Sequence, residues 1–302
     1  MRKVHFIQAD VFSDSPFGGN PVVVIPRPGP MTGEEMQALA RGMSFGETAF
    51  VLPADSPQAA YALRCYTPTT RMAYSGHALL GASYVLATLG RLDLADPTTD
   101  ISVEIGAALH PVTLDTSEGA VTRVSTVDDP AEFGPVLEDY GKIASALSLD
   151  PMDILQTGLP VQAVGTSLKT VIVPVRSLGS VREMLPNGPA VSGLLQQTGA
   201  ELLLVFSNDT LAPSNDVHVR VFAPPVGLEE DPASGSANGA LAAYLVRYGA
   251  FEPGAGATLR SEQGTETGRP SVIELRVNAS TSPPTIHVGG QVARSVEGSV
   301  FY

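Results

Sequence analysis

The sequence contains an internal repeat. The segment Arg64-Cys-Tyr-Thr-Pro68 matches Arg220-Val-Phe-Ala-Pro224 at an offset of 156 residues. Farther along, Ser75-Gly-His-Ala-Leu-Leu-Gly81 matches Ser234-Gly-Ser-Ala-Asn-Gly-Ala240 at an offset of 159 residues, so the second copy carries three extra residues. Each copy continues as an apolar helical pattern that ends at a glycine 14 residues after the glycine of its Ser-Gly step. These matches indicate a duplicated fold.

The helix after each Ser-Gly step is apolar on nearly all of its faces. Such a helix has to be surrounded by other elements, because it has no polar face to leave in water. A sheet curled around a central helix provides this burial, so the sequence predicts an α+β fold of two pseudo-symmetric halves. We expect residues 1–127 to form the first half and residues 128–302 the second, with the last strand, about 288–302, able to cross back. The acidic segment 130–147 is interpreted as a linker.

Local signals add further elements. Apolar runs bounded by turn residues predict strands at 4–11, 22–25, 62–66, 168–175, 201–206 and 218–222. Thr32 followed by Glu35 is typical of a capping box and predicts a helix at 34–43. Glu47 stands directly before another strongly apolar strand.

The stretch from Glu229 to Leu245 combines three acids, a proline, small residues and then an apolar helix. Ser234, Gly235 and Ser236 occupy the predicted first turn, whose backbone N–H groups have no acceptor inside the helix. With the positive end of the helix dipole, these groups favour a bound anion. Asp231 beside such a turn suits a group that orients the ligand or exchanges a proton with it, whereas helix capping is the structural alternative.

Composition excludes several functions. The net charge is −13, with a pI near 4.7, and only three lysines occur, so nucleic acid and anionic membranes are not expected partners. The single cysteine, Cys65, excludes an intrachain disulfide and a Cys-rich metal site. The first residues lack the apolar core of a signal peptide, and the sequence has no apolar run of membrane-spanning length. We therefore expect a cytoplasmic protein.

Further motifs occur in order along the whole chain: Asp10-Val-Phe12 with Pro16-Phe-Gly-Gly-Asn-Pro21, Met36-Gln-Ala-Leu-Ala-Arg41, Glu47-Thr-Ala-Phe-Val51, Gly76-His77, Glu230-Asp-Pro-Ala-Ser-Gly-Ser-Ala237, and Glu262-Gln-Gly264 with Gly268-Arg-Pro-Ser271. With these motifs the chain resembles the PhzF-like isomerases of phenazine biosynthesis, relatives of diaminopimelate epimerase. The resemblance implies two halves, each a barrel-like sheet around a central helix, with the active site between them. It also implies chemistry without a cofactor or metal, a small carboxylate as substrate, and a homodimer.

The same resemblance assigns roles to individual residues. It places the general acid/base at Glu47, with His77 and Asp231 orienting the substrate and assisting proton movement. Substrate-binding positions are implied at Asn20, Ser75, Gly76, Ser234, Gly235, Ser236 and Gln263. The remaining histidines have no motif context and are interpreted as structural or surface residues: His5, His110, His218 and His287.

Two positions depart from the family pattern. Many relatives have Ser where this chain has Gly46 and Cys where it has Ser75. Because the chain has one cysteine, the two-thiol mechanism of the epimerase relatives is excluded.

The hypothesis from sequence is an isomerase in which Glu47 takes a proton from an activated carbon of a small cyclic or dihydro-aromatic acid and returns it at another carbon. A hydrolase of carbon–carbon bonds in the same pocket is the first alternative, since it shares the proton transfer but adds water. A non-catalytic binding protein of the same fold is the second.

Overall fold

In the computed structural model, which describes residues 2–252 and 257–302, the chain forms two units. Unit 1 comprises Met1–Val127 and Gly289–Tyr302, and unit 2 comprises Asp128–Val288. Both units contain strands and helices, which confirms the expected α+β class. Within the described ranges no helix is both long and apolar enough to cross a membrane.

Unit 1 contains two helices, α1 (Gly33–Met43) and α2 (Gly76–Thr88), and the strands β1 (Lys3–Val11), β2 (Asn20–Ile25), β3 (Thr48–Leu52), β4 (Tyr61–Tyr66), β5 (Arg71–Met72), β6 (Thr98–Ile105), β7 (Ala108–Ser117), β8 (Ala120–Val127) and, from the end of the chain, β18 (Val292–Phe301). Strand β1 pairs antiparallel with both β2 and β18. Strands β2 and β3 are parallel, as are β4 and β6, whereas β3–β4, β6–β7 and β7–β8 are antiparallel.

Helix α2 is the core of unit 1. It contacts β1, β2, β3, β7, β8 and β18, and buried side chains lie on all of its faces. At Gly81 the helix approaches the sheet so closely that a Cβ atom would lie 2.6 Å from Val22 Cγ1 and 3.2 Å from Val11 Cγ2. The predicted apolar helix is therefore present because the surrounding sheet supplies an apolar partner on each side.

Helix α1 covers another part of this sheet. Its capping box is formed as predicted, since Thr32 accepts from the Glu35 backbone and the Glu35 side chain accepts from the Thr32 backbone. The buried face of α1, with Met36 and Leu39, packs in a cluster with Phe50 and Tyr66. This packing fixes β3, which begins directly after Glu47, against α1.

Unit 2 contains the helices α3 (Tyr140–Leu147), α4 (Pro151–Leu155), α5 (Leu178–Glu183), α6 (Gly188–Thr198) and α7 (Gly235–Arg247), and the strands β9 (Glu132–Leu137), β10 (Val161–Gly165), β11 (Lys169–Pro174), β12 (Leu202–Ser207), β13 (Val217–Ala223), β14 (Leu228–Asp231), β15 (Thr258–Gln263), β16 (Ser271–Asn278) and β17 (Thr285–Gly290). Strands β11 and β12 are parallel, as are β13 and β15. The pairs β9–β10, β10–β11, β12–β13, β13–β14 and β15–β16 are antiparallel.

Helix α7 repeats the arrangement of α2. Both helices have 13 residues and begin after a serine N-cap in extended conformation, Ser75 or Ser234. Both are followed by a glycine with positive φ, Gly90 at 64° and Gly249 at 66°. Helix α7 contacts β10, β11, β12 and β16, so each unit surrounds one apolar helix with strands. The equal helix lengths expected from the repeat are confirmed.

The linker interpretation of residues 130–147 was wrong. This segment forms β9 and α3, and β9 pairs with β10 of unit 2. Ile143 and Leu147 are buried in a core cluster that also contains residues of α5 and α6. The acidic residues that suggested a linker, such as Glu138 and Asp139, lie on the exposed side of the segment.

We predict that Gly81→Ala destabilises unit 1. The new methyl group would overlap Val22 and crowd Val11, both fully buried, and overpacking of this kind costs about 1–3 kcal/mol. Gly42→Ala in α1 is the matched control, because a Cβ there meets nothing within 4 Å. Helix propensity alone should make the control neutral or up to about 1 kcal/mol more stable. Urea unfolding of both variants tests this, and equal stability would contradict the tight packing.

Candidate active site

Glu47 is positioned by the sheet of unit 1. It immediately precedes β3, and its carbonyl oxygen accepts from Val23 N at 3.1 Å, which anchors its backbone to β2. Its side chain is only 14% exposed. The Glu47 carboxylate is therefore largely buried and lies at one end of the parallel strands β2 and β3.

Ser75 joins this carboxylate to the start of α2. Its hydroxyl donates to Glu47 Oε2 at 2.5 Å and, as the N-cap, accepts from Ala78 N at 3.3 Å. One side chain thus satisfies a helix-start N–H group and orients the carboxylate. The N–H groups of Gly76 and His77, in the same first turn, have no acceptor within the helix. We call the turn Ser75–His77 the first anion site.

His77 lies against the same carboxylate. Its Nε2 atom is 3.5 Å from Glu47 Oε2, and its Nδ1 atom is 3.5 Å from the Ser75 hydroxyl. The Nε2 contact is close enough for an ion pair, but its geometry makes no hydrogen bond. Nε2 is buried and has no hydrogen-bond partner in the described part of the chain, so it can accept or donate a hydrogen bond to a ligand.

Cys65 is a buried thiol in β4 of the same unit. Burial, reinforced by the negative charge of Glu47, raises the pKa of Cys65 well above its usual value. The thiol is therefore held in its neutral form, which is neither a nucleophile nor an effective base at neutral pH.

The loop before Asn20 depends on a residue to which the sequence reasoning gave no role. Asp10 is fully buried; its Oδ2 atom accepts from Phe17 N at 2.7 Å and its Oδ1 atom from Gln8 Nε2 at 2.9 Å. Gly19 has a φ of 58°, and a Cβ there would overlap the carbonyl group of Val11. Asn20 then begins β2 opposite Val11. The only signal in the sequence was the position of Asp10 in a motif before the glycine-rich loop, and its burial is shown by the structure.

The second anion site, Ser234–Ser236, is the start of α7 in unit 2. Ser234 caps the helix through a contact of 3.5 Å with Ala237 N. The carbonyl oxygen of Ser236 accepts from Thr166 Oγ1 at 3.3 Å. Asp231 is half-buried beside this turn, and its Oδ1 atom accepts from Ala233 N at 3.3 Å. The predicted residues of unit 2 thus lie together around one helix start.

Gln263, the last residue of β15, hydrogen-bonds to residues of this helix start. Its Oε1 atom accepts from Ser234 N at 3.3 Å and from Asn238 Nδ2 at 2.9 Å, while its Nε2 atom donates to the carbonyl oxygen of Asp231 at 2.6 Å. The side chain is 1% exposed. Its amide group therefore serves the protein backbone, and its contacts favour a supporting role over direct substrate binding.

Arg220 and Glu230 fix the strand that leads to Asp231. The guanidinium group donates twice to the carboxylate, at 2.9 and 2.8 Å, and also donates to the carbonyl oxygens of Val181 and Met184. This paired geometry is the most directional contact an arginine makes with a carboxylate. In the sequence, Arg220 was recognised only as a marker of the repeat.

Comparison with known proteins supports the resemblance found in the sequence. The family model described as phenazine biosynthesis-like protein matches residues 9–298. An uncharacterized isomerase of Clostridium acetobutylicum is 30% identical over 94% of this chain and 93% of its own. A trans-2,3-dihydro-3-hydroxyanthranilate isomerase of Pseudomonas chlororaphis is 27% identical over 98% of this chain and 99% of its own. The crystal structure of a Bacillus anthracis phenazine biosynthesis protein of the PhzF family matches with a TM-score of 0.91 at 26% identity, with all of both chains covered. The chain belongs to the phenazine biosynthesis-like protein family.

Proposed function

We propose that this protein is an isomerase that moves a proton within a small cyclic or dihydro-aromatic carboxylic acid. The observation that carries the proposal is the cluster of Glu47, Ser75 and His77, in which a largely buried carboxylate lies against the start of a buried helix. This cluster combines a group that can transfer a proton with backbone donors that suit a carboxylate.

Each of the two anion sites is proposed to be able to bind the substrate carboxylate. The N–H groups in the first turn of α2 and α7 are suited to bind it, because each turn carries the positive end of a helix dipole. Gly76 and Gly235 have no side chain at these turns, which lets a ligand reach the backbone. The hydroxyl of Ser236 and the side chain of Asn20 are further binding groups in this proposal.

Glu47 acts first as a base and then as an acid. It takes a proton from the activated carbon, and the electron pair of the broken C–H bond forms a new double bond to the adjacent carbon. The π electron pair of the original double bond moves to the far carbon. The carboxyl group then returns the proton at the far carbon, so one C–H bond breaks, another forms, and the mass of the molecule is unchanged. Ser75 engages Oε2, and no hydrogen bond among the described residues engages Oε1. Oε1 is therefore the oxygen proposed to transfer the proton.

His77 and Asp231 are proposed to bind the polar groups of the substrate. The unpartnered Nε2 atom of His77 supports this role, because a buried ring nitrogen gains a hydrogen bond when a ligand arrives. The substrate class is supported by the Pseudomonas chlororaphis relative, which is named for a dihydro-aromatic amino acid.

We predict that Glu47→Gln lowers turnover about 10²–10⁴-fold, the usual contribution of general acid/base catalysis. The assay incubates the protein in D₂O with trans-2,3-dihydro-3-hydroxyanthranilate and with unsaturated cyclic acids, and follows isomer formation and deuterium incorporation by NMR and mass spectrometry. Glu34→Gln, at an exposed position of α1, is the control and should keep full activity. Products with a broken carbon–carbon bond, whose masses sum to that of the substrate plus one water, would indicate the hydrolase instead. Full turnover of Glu47→Gln would remove Glu47 from the mechanism.

Ser75→Ala should reduce both activity and stability. Loss of the N-cap costs about 1 kcal/mol, and loss of the hydrogen bond to the Glu47 carboxylate misplaces the proposed base. Ser75→Thr retains the hydroxyl and should recover most of the deuterium incorporation. Ser234→Ala removes the equivalent cap of α7, so it reports the stability cost of a cap without the Glu47 contact. If Ser75→Ala and Ser75→Thr were equally active, the hydroxyl would have no part in positioning Glu47.

A further inference from the structure

A fully buried histidine in unit 2 lies between two carboxylates. His218, in β13, is 0% exposed. Its Nδ1 atom is 2.8 Å from Glu262 Oε1, and its Nε2 atom is 3.1 Å from Glu266 Oε1. An ionised carboxylate only accepts hydrogen bonds, so both ring nitrogens carry a proton and the ring is a cation. The motif-based interpretation of His218 as a structural or surface residue did not indicate this arrangement.

The surrounding groups favour this charged state. Burial alone would lower the pKa of His218, but the hydrogen bonds and charges of Glu266 and Glu262 outweigh it and raise the pKa. Burial likewise opposes ionisation of both glutamates, yet their hydrogen bonds, including those from Asn215 and His218, lower the pKa of each. Arg220 and Arg182 are further charged groups near Glu266, and the Nε atom of Arg182 is 3.8 Å from Glu266 Oε1.

Glu262 is held from more than one side. Besides His218, it accepts from Leu211 N at 2.5 Å, Ala212 N at 3.1 Å and Asn215 Nδ2 at 2.7 Å. Strand β15 also pairs in parallel with β13, which places Glu262 opposite His218 in the ladder. His218 therefore bonds to both ends of the short segment Glu262–Glu266, with one carboxylate at each ring nitrogen.

The residues between those two glutamates touch the second anion site. Gln263 bonds to the backbone of Asp231 and Ser234. Gly264 has a φ of 82°, and a Cβ there would overlap the carbonyl oxygen of Pro232, so this turn packs directly on the loop before α7. Any displacement of Glu262–Glu266 would be transmitted to Asp231, Pro232 and Ser234.

We propose that His218 is a positioning residue: as a buried cation it fixes the segment Glu262–Glu266, and this segment fixes Asp231 and the second anion site. The use of that site by the substrate rests on the proposed function. The hold of His218 on the segment does not depend on the proposed function, because it follows from contacts within unit 2.

The cation contributes to stability in a defined pH range. The pKa of His218 is raised on folding, so its contribution is fully present below the ordinary histidine value of about 6.5 and is lost as the pH rises through the folded-state value. The pKa values of Glu262 and Glu266 are lowered, so their contribution is present above about 4.3 and is lost as the pH falls through the folded-state values. The cluster is therefore most stabilising between these limits.

The test uses the full-length Glu266→Gln variant, which keeps the shape of the side chain but removes one of the two charges that hold the cation. Glu183→Gln, at an exposed position of α5 in the same unit, changes the net charge equally and serves as the control. In the wild type and the control, ¹⁵N NMR should show both ring nitrogens of His218 protonated at about pH 6, below the ordinary histidine pKa of about 6.5, with a titration midpoint raised above that value. In Glu266→Gln the pKa of His218 should fall, and hydrogen exchange at the Ser234 amide should accelerate by about tenfold as the ring loses its proton.

Activity distinguishes positioning from stability alone. In Glu266→Gln, deuterium incorporation should decline on the alkaline side with the same midpoint as the His218 titration, whereas the control should keep the wild-type pH profile. A wild-type ring that is singly protonated at about pH 6, or Ser234 exchange that does not follow the His218 titration, would overturn the proposal. If Glu47→Gln lost activity while Glu266→Gln kept the wild-type profile, positioning would be wrong and the proposed function would stand. If the wild type neither isomerised any of these acids nor incorporated deuterium, the proposed function would fail, and the NMR measurements would still decide whether His218 holds the segment.

Discussion

The constraint on which the rest of the structure depends is the burial of a helix inside a curled sheet. A helix surrounded by strands is stabilised by its apolar contacts, but the N–H groups of its first turn still need acceptors. In both α2 and α7 a serine supplies one acceptor and glycine leaves the neighbouring backbone accessible. The fold thus creates, in each unit, a turn of backbone donors that a carboxylate can satisfy. The proposed binding chemistry is a consequence of how the core is built.

Duplication has left the two helix starts equivalent in backbone and different in side chains. In unit 1, Glu47 and His77 lie beside the capping serine of the helix start. Glu47 accepts a hydrogen bond from this serine, and His77 contacts the same Glu47 carboxylate. In unit 2, Asp231 and Gln263 lie beside the helix start, and the Gln263 amide bonds to the backbone of Asp231 and Ser234 and to the Asn238 side chain. We therefore propose that proton transfer belongs to unit 1, where the Glu47 carboxylate lies 3.5 Å from His77. In unit 2, His218 bonds to Glu262 and Glu266, which lie on either side of Gln263 in the sequence.

Sequence alone predicts the parts of this structure that depend on local pattern. The apolar helices, their serine caps and their closing glycines follow from residue type and spacing, because burial on all faces leaves a continuous apolar run. The residues that fail to stand out are those whose role depends on distant partners. His218 meets Glu262 and Glu266 only because β13 and β15 are parallel neighbours. Asp10 organises its loop through a side chain that enters the core. The acidic residues Glu138 and Asp139 before α3 suggested an exposed segment, although Ile143 and Leu147 of α3 are buried.

The strong negative charge of the chain explains why backbone donors suit an anionic substrate. A net charge of −13 disfavours the approach of an anionic substrate at long range, although salt screens this repulsion beyond about 8–10 Å. Binding then depends on groups that act at contact distance. Helix-start N–H groups meet this need, because the field of the helix dipole falls off within the first turn. We therefore propose that neutral donors acting at contact distance, and not long-range attraction, hold the substrate carboxylate.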